Sequence, residues 1–219
     1  MAPGLASAQA GGQLLHIGCG PKRKEHTLPA FASDHWHEVR FDIDESVSPD
    51  IIGTMTDMSA VKTGSIDALC SSHNVEHLYP HEVPIAFGEF HRVLKDDGFA
   101  IITCPDLQSV AALIADDKLL DPAYVSPAGP ISPLDILFGH RASMERGNLY
   151  MAHHVGFTQK VLAGTLRSAG FGAVATIRRP DKFDLWAFAM KRAVSEEDLR
   201  MTAQRYLAQA AGSDAAKRA

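Results

Sequence analysis

Cysteine is scarce in this chain of 219 residues: there are three, at positions 19, 70 and 104. An odd set without paired spacing builds no disulfide framework and fits a reducing compartment, so a cytoplasmic location is expected. Aromatic residues make up only 7% of the chain, yet 46% is hydrophobic, enough to bury one sizeable core. Long apolar runs are missing too: none approaches the ~20 residues that a membrane span needs, and no membrane partner is expected. Basic residues are outnumbered, with 21 Lys and Arg against 26 Asp and Glu for a formal charge of -5. No basic stripe is visible, which argues against a nucleic-acid partner, because such binding rests on clustered Lys and Arg neutralising phosphates. Residues 1–12 are small and polar, lacking the charged and apolar regions of a signal peptide, and are expected to form a disordered leader.

What is present is an apolar run that breaks into a glycine loop, Leu14-Leu15-His16-Ile17-Gly18-Cys19-Gly20-Pro21. About 22 residues later, Val39-Arg40-Phe41-Asp42-Ile43-Asp44 places a carboxylate at the end of a second apolar run. Gly18 and Gly20 lack a Cβ, so the chain can turn sharply and let a ligand lie against bare backbone. An acid ending the next strand can accept the hydroxyl hydrogens of a ribose. The pair is a nucleoside-binding layout. A dinucleotide fold carries a third glycine, for close packing of its first helix under a pyrophosphate; this loop has none, which suits an adenosyl ligand with an amino-acid tail.

Apolar runs alternate with helical patterns along residues 13–192, the rhythm of an α/β domain with a parallel sheet. Strands are expected at Gln13–Ile17, Glu38–Asp42, Ile51–Ile52, Ile66–Ser71 and Phe99–Thr103. Between the first two, Pro21 and Pro29 leave few periodic positions, so the usual helix is short or absent. Val83, Ala86, Phe87, Phe90, Val93 and Leu94 recur at helical spacing, with Pro84 tolerable only in the first turn. Residues 106–150 break the rhythm with four prolines and three glycines, and are read as an irregular substrate cap. A helix capped by Thr158 and stopped by Gly170, strands at Ala173–Ile177 and Leu185–Met190, and a last amphipathic helix from Ser195 to about Ala210 complete the pattern. That helix and its fraying tail make up residues 193–219.

Four segments in order, spanning residues 14–105, resemble class I S-adenosylmethionine-dependent methyltransferases. They are the glycine loop, the acid-ended second strand, Ser65-Ile66-Asp67-Ala68-Leu69-Cys70-Ser71-Ser72-His73-Asn74-Val75-Glu76-His77-Leu78, and Glu89-Phe90-His91-Arg92-Val93-Leu94-Lys95-Asp96-Asp97-Gly98. The resemblance implies a Rossmann-like, mostly parallel seven-stranded sheet with helices on both faces, and S-adenosylmethionine as cofactor. It implies that Gly18, Cys19 and Gly20 line the methionine tail, that Asp42 holds the ribose and that Ile43 packs on the adenine. Asp57 and Met58 then contact the adenine edge, and Ser72 closes over the cofactor. Two positions depart from the family: His16 stands where an acid usually organises the loop, and Thr54 where many members place an acid.

Methyl transfer from a sulfonium needs alignment above all, and a base only where the acceptor has a proton to lose. His73, near the carboxyl edge of the sheet, and His154, before the helix that precedes strand six, are the candidate bases for a small-molecule acceptor offering oxygen or nitrogen. Arg141 and Arg146 are candidates for an acidic substrate group. His140, His153 and His154 show neither HxH nor HxxxH spacing, so no metal site is expected. Two rival readings remain: a non-catalytic adenosyl-binding subunit, for which the departures at His16 and Thr54 speak, and an NAD-dependent oxidoreductase, against which the missing third glycine speaks.

Overall fold

A computed structural model describes residues 11–212; most of the expected leader and the tail beyond residue 212 lie outside the described residues. In chain order the elements are β1 (Gly12–Ile17), β2 (Trp36–Asp42), β3 (Ile51–Ile52), β4 (Ile66–Ser72), α1 (Val83–Val93), β5 (Leu94–Pro105), α2 (Leu107–Ala115), β6 (Tyr124–Ser126), β7 (Gly129–Ile131), α3 (Pro133–Phe138), α4 (Arg141–Glu145), α5 (Gln159–Ser168), β8 (Ala173–Arg179), β9 (Asp184–Met190) and α6 (Glu196–Gly212). Seven strands form one sheet in the order β3-β2-β1-β4-β5-β9-β8. The ladders from β3 to β5 are parallel, and β9 runs antiparallel between β5 and β8. β1 has β2 on one side and β4 on the other, so the chain order reverses there. That reversal opens a crevice at the carboxyl ends of these strands.

The two faces of the sheet are covered differently. Phe87 and Phe90 of α1 and Leu162 and Leu166 of α5 fill one face together with Leu15, Ile17 and Ile102. On the other face, the β1–β2 linker offers only two single 3-10 turns, Lys24–His26 and Pro29–Phe31, as its prolines lead one to expect. Helix α6 supplies what that linker lacks: Ala203, Tyr206 and Leu207 pack with Leu28, Phe31, Trp36, Phe99 and Phe188. The Tyr206 ring lies 4.6 Å from Phe99 and 5.7 Å from Phe31.

Two regions differ from expectation. β5 begins at Leu94, directly after α1, because Leu94 pairs with Ile66 and an irregularity between Ile66 and Ala68 absorbs the extra residues. The segment 106–150 is more regular than its prolines suggest. Asp106 caps α2 by accepting from the Gln108 amide at 3.1 Å. Ser132 and Asp135 form a capping box on α3, whose Pro133 sits in the first turn, where no amide hydrogen is needed. Other prolines fall in and around the β6–β7 hairpin. Asp106, fully buried, also pairs with Arg178 of β8 and tethers the segment to the sheet. No helix among the described residues is long and apolar enough to cross a membrane.

Candidate active site

At the carboxyl edges of β1, β2 and β4 the chain surrounds a cavity of about 690 Å³, within the roughly 300–1,000 Å³ of small-molecule sites. Gly18, Cys19, Gly20, Asp42, Ile43, Ser72, His73 and His154 all line it, drawn from four separate stretches of sequence.

The glycine loop is bound to the end of β2. Gly18 and Gly20 take φ of +57° and +51°, left-handed values that disfavour any residue with a Cβ. Gly18 N–H donates to the Phe41 carbonyl at 2.8 Å, and Gly20 N–H to Asp42 Oδ2 at 2.8 Å. Asp42 is 9% exposed, and its Oδ1 accepts from the Asp44 amide at 3.0 Å. A carboxylate has about four acceptor sites, so two remain for ligand hydroxyls. Asp44 instead caps the turn at Glu45–Val47 through the Ser46 amide. Ile43 is exposed on the cavity wall. Burial pushes the Cys19 thiol up to about 11, so it lines the loop as an uncharged group.

Three supports of this loop were not read from the sequence. Arg40, 2% exposed, donates to the carbonyls of Gly20, Val47 and Ser48, clamping the glycine loop to the turn after β2. Asn74 donates through Nδ2 to the Ile17 carbonyl at 2.9 Å and to the Ser72 carbonyl at 3.2 Å. His16, the departure from the family pattern, bonds Glu38 of β2 at 2.8 Å through Nδ1. Burial lowers the His16 pKa despite that bond, so a neutral imidazole donates to the carboxylate. The only signal for these roles was a charged or amide residue inside an apolar strand or loop.

Asp57 and Met58 do not line the cavity, a correction to the expected adenine contact. A tight reversal pairs Thr54 with Asp57, sends Met58 into the core at 0% exposure, and leaves Asp57 to cap its own turn by accepting from the Ser59 amide at 3.0 Å. Thr54, Met55 and Thr56 face the cavity in their place.

On the far side of the cavity stand His73, His77, Tyr79, Trp186, residues 148–150 at the end of the expected cap, and Met151 just beyond it. His154 stacks on Tyr79 with ring centroids 4.2 Å apart, and His73 has a positive φ of 56° with Nδ1 3.3 Å from Glu76 Oε1. His140 and Arg141 turn elsewhere: His140 bonds Ser143 at 2.8 Å, and Arg141 pairs with Asp135 at 2.7 Å. His153 points inward, its Nδ1 2.8 Å from the Ile136 carbonyl. The rings of His140, His153 and His154 therefore do not converge.

Residues 15–102 match the family model of a methyltransferase domain. No curated protein matches the chain in sequence. Among solved structures, the fold is similar to a SAM-dependent methyltransferase from Methanosarcina mazei, at TM-score 0.55 and 16% identity over 85% of this chain and 95% of that one. A SAM-dependent methyltransferase from Archaeoglobus fulgidus gives 0.53 and 16% over 82% and 86%. The Burkholderia thailandensis 1,6-didemethyltoxoflavin-N1-methyltransferase, solved with 1,6-didemethyltoxoflavin and S-adenosylhomocysteine, gives 0.51 and 15% over 83% and 72%. Residues 15–102 thus carry a methyltransferase domain, and in strand order and glycine loop the chain is similar in fold to the class I S-adenosylmethionine-dependent methyltransferases.

Proposed function

We propose that this methyltransferase moves the methyl group of S-adenosylmethionine to an oxygen or nitrogen of a small-molecule acceptor. The observation that carries the reading is the meeting, in one cavity, of the Gly18–Gly20 loop and buried Asp42 with His73, His154 and residues 148–151. The first group suits an adenosyl ligand with an amino-acid tail; the second leaves room for an acceptor beside it. In this reading Asp42 holds the ribose, Ile43 packs on the adenine and Ser72, whose hydroxyl lies 3.0 Å from that of Thr103, closes over the cofactor. The acceptor enters beneath the 106–150 segment, and the Burkholderia relative, named for a small heterocyclic acceptor methylated on nitrogen, is a precedent on the same fold.

The cofactor brings its own leaving group, so the protein's part is alignment and, for a protonated acceptor, removal of one proton. His73 suits that part because Glu76 stands 3.3 Å behind its Nδ1. Burial disfavours the charged ring, yet the carboxylate outweighs it and raises the pKa above its ordinary value. His154, stacked on Tyr79, is the second candidate. A dinucleotide is disfavoured by the chain beyond the loop: no helix starts after Gly20, only the turn at Lys24–His26, so no helix N-terminus is offered to a pyrophosphate. The test is incubation of purified protein with methyl-labelled S-adenosylmethionine and fractionated metabolites. A labelled small molecule is expected; label found only in protein or nucleic acid overturns the acceptor class.

A further inference from the structure

Glu76 carries a buried carboxylate faced only by histidine rings. It is 1% exposed, and neither carboxylate oxygen has a hydrogen-bond partner among the described residues; His73 Nδ1, at 3.3 Å, is close enough for attraction but is not aimed as a hydrogen bond. A buried carboxylate without such partners is costly, and proteins keep such groups where a cation answers them. Beside it, His77 and His153 each offer a ring nitrogen, and one ligand atom from each of the three residues lies within 4.8 Å of the others. The two rings meet edge to face with centroids 4.8 Å apart.

The tautomers of both rings are fixed by their far sides. His77 Nδ1 is 3.0 Å from the Ala152 carbonyl, and His153 Nδ1 is 2.8 Å from the Ile136 carbonyl. A carbonyl only accepts, so each Nδ1 carries the hydrogen and each Nε2 keeps its lone pair when the ring is neutral. Donation of the outer N–H to a backbone carbonyl is also the arrangement that orients and strengthens metal-ligating histidines. The two segments are held in register by the amides of His154 and Val155, which donate to the Glu76 carbonyl at 2.9 and 3.2 Å.

The geometry points to a binding site for a divalent first-row transition metal, with zinc the best match, formed by Glu76, His77 and His153. Two imidazoles and one carboxylate are a donor set that zinc takes in catalytic sites, with a fourth position left open. Tetrahedral ligands at about 2.0–2.1 Å stand about 3.4 Å apart, so roughly an ångström of closure brings the three together. His77 also lines the cavity, which sets the ion at the wall of the acceptor side. Glu76 and His77 are neighbours in sequence, and the fold brings His153 to them from far along the chain, with no spacing motif that joins the three. The site stands independently of which acceptor is used.

The test uses the full chain, stripped with a chelator and titrated with Zn²⁺ against a chromogenic competitor. One tight equivalent is expected, weakened more than about tenfold in both Glu76→Gln and His153→Gln and unchanged in His140→Gln. Co²⁺ loading of the unsubstituted protein should give the intense visible bands of a four-coordinate ion, a readout that needs no variant to fold. S-adenosylhomocysteine binding, measured in parallel, separates loss of this site from loss of the methyltransferase reading. Absence of a stoichiometric equivalent, or full affinity in folded His153→Gln, overturns the proposal and leaves Glu76 answered by histidine protons alone.

Discussion

Gly18→Ala tests whether the glycine loop is held open by backbone conformation alone or also by the side chain behind it. A methyl group built on Gly18 would lie 2.0 Å from Asn74 Oδ1 and 2.3 Å from its Cγ, at a φ of +57°. The left-handed conformation costs alanine about 1–2 kcal/mol. The collision is relieved when the Asn74 amide swings away, but that breaks its bonds to the Ile17 and Ser72 carbonyls, each worth about 0.5–1.5 kcal/mol. Gly18→Ala should therefore cost roughly 2–5 kcal/mol, and Asn74→Ala roughly 1–3. In the double variant the collision is gone and the same bonds are lost only once. Its cost should fall short of the sum by roughly 1–3 kcal/mol, read from urea unfolding of the four proteins. Gly20→Ala is the internal standard: its φ is +51° but nothing lies within 4 Å of the added carbon, so it should cost only the roughly 1–2 kcal/mol of strain. Additivity of Gly18→Ala and Asn74→Ala, or equal costs at Gly18 and Gly20, would refute the reasoning.

S-adenosylhomocysteine at ~100 times its Kd should stabilise the folded protein by roughly 2.7 kcal/mol in thermal or chemical melts and NAD should not; Asp42→Ala should abolish most of that gain, and a gain with NAD alone sinks the cofactor reading. Replacing His73 or His154 by Gln should lower turnover by roughly 10²- to 10⁴-fold if that ring takes the acceptor proton, with cofactor affinity nearly unchanged; loss of cofactor binding would make the ring structural, and full turnover in both variants would leave alignment as the whole of catalysis. Burial holds the Cys19 and Cys70 thiols near 11 and 12, and all three cysteines are buried and free, so a thiol reagent at neutral pH should label the native protein only as fast as it opens. Arg141 holds the Asp135 carboxyl far below its ordinary value, outweighing burial; that contribution is present above about pH 4 and fades as pH falls further, so Asp135→Asn should destabilise the protein at pH 6 and progressively less at pH 3 in urea melts.

The parts of the site that were legible in the sequence are those whose constraint is local. Gly18, Gly20 and Asp42 sit at the ends of adjacent strands, so an apolar run, a turn and an acid at the right distance suffice to place them. Arg40 was illegible because a buried guanidinium makes sense only once three carbonyls from two loops converge on it. Asp57 and Met58 went astray by a register that one tight turn decides: the Thr54–Asp57 reversal exchanges which side chains face the cavity and which the core. In the 106–150 segment, prolines read as breakers are helix starts, and the capping box of Ser132 and Asp135 was the available sign. Glu76 and His77 stand side by side in the sequence, but nothing there shows that His153 joins them, since it does so only when residues 152–155 fold back over the turn after β4.

The late position of α6 in the chain has a consequence for synthesis. Phe31, Trp36, Phe99 and Phe188 are all made before Tyr206 and Leu207, which complete their packing. While a growing chain is still on the ribosome, it can assemble the glycine loop and the parallel ladders, yet one side of its sheet stays an open aromatic surface until residues beyond 200 emerge. Such surfaces draw nascent chains into aggregates or onto chaperones. Loss of α6 from a finished molecule would uncover that same aromatic surface.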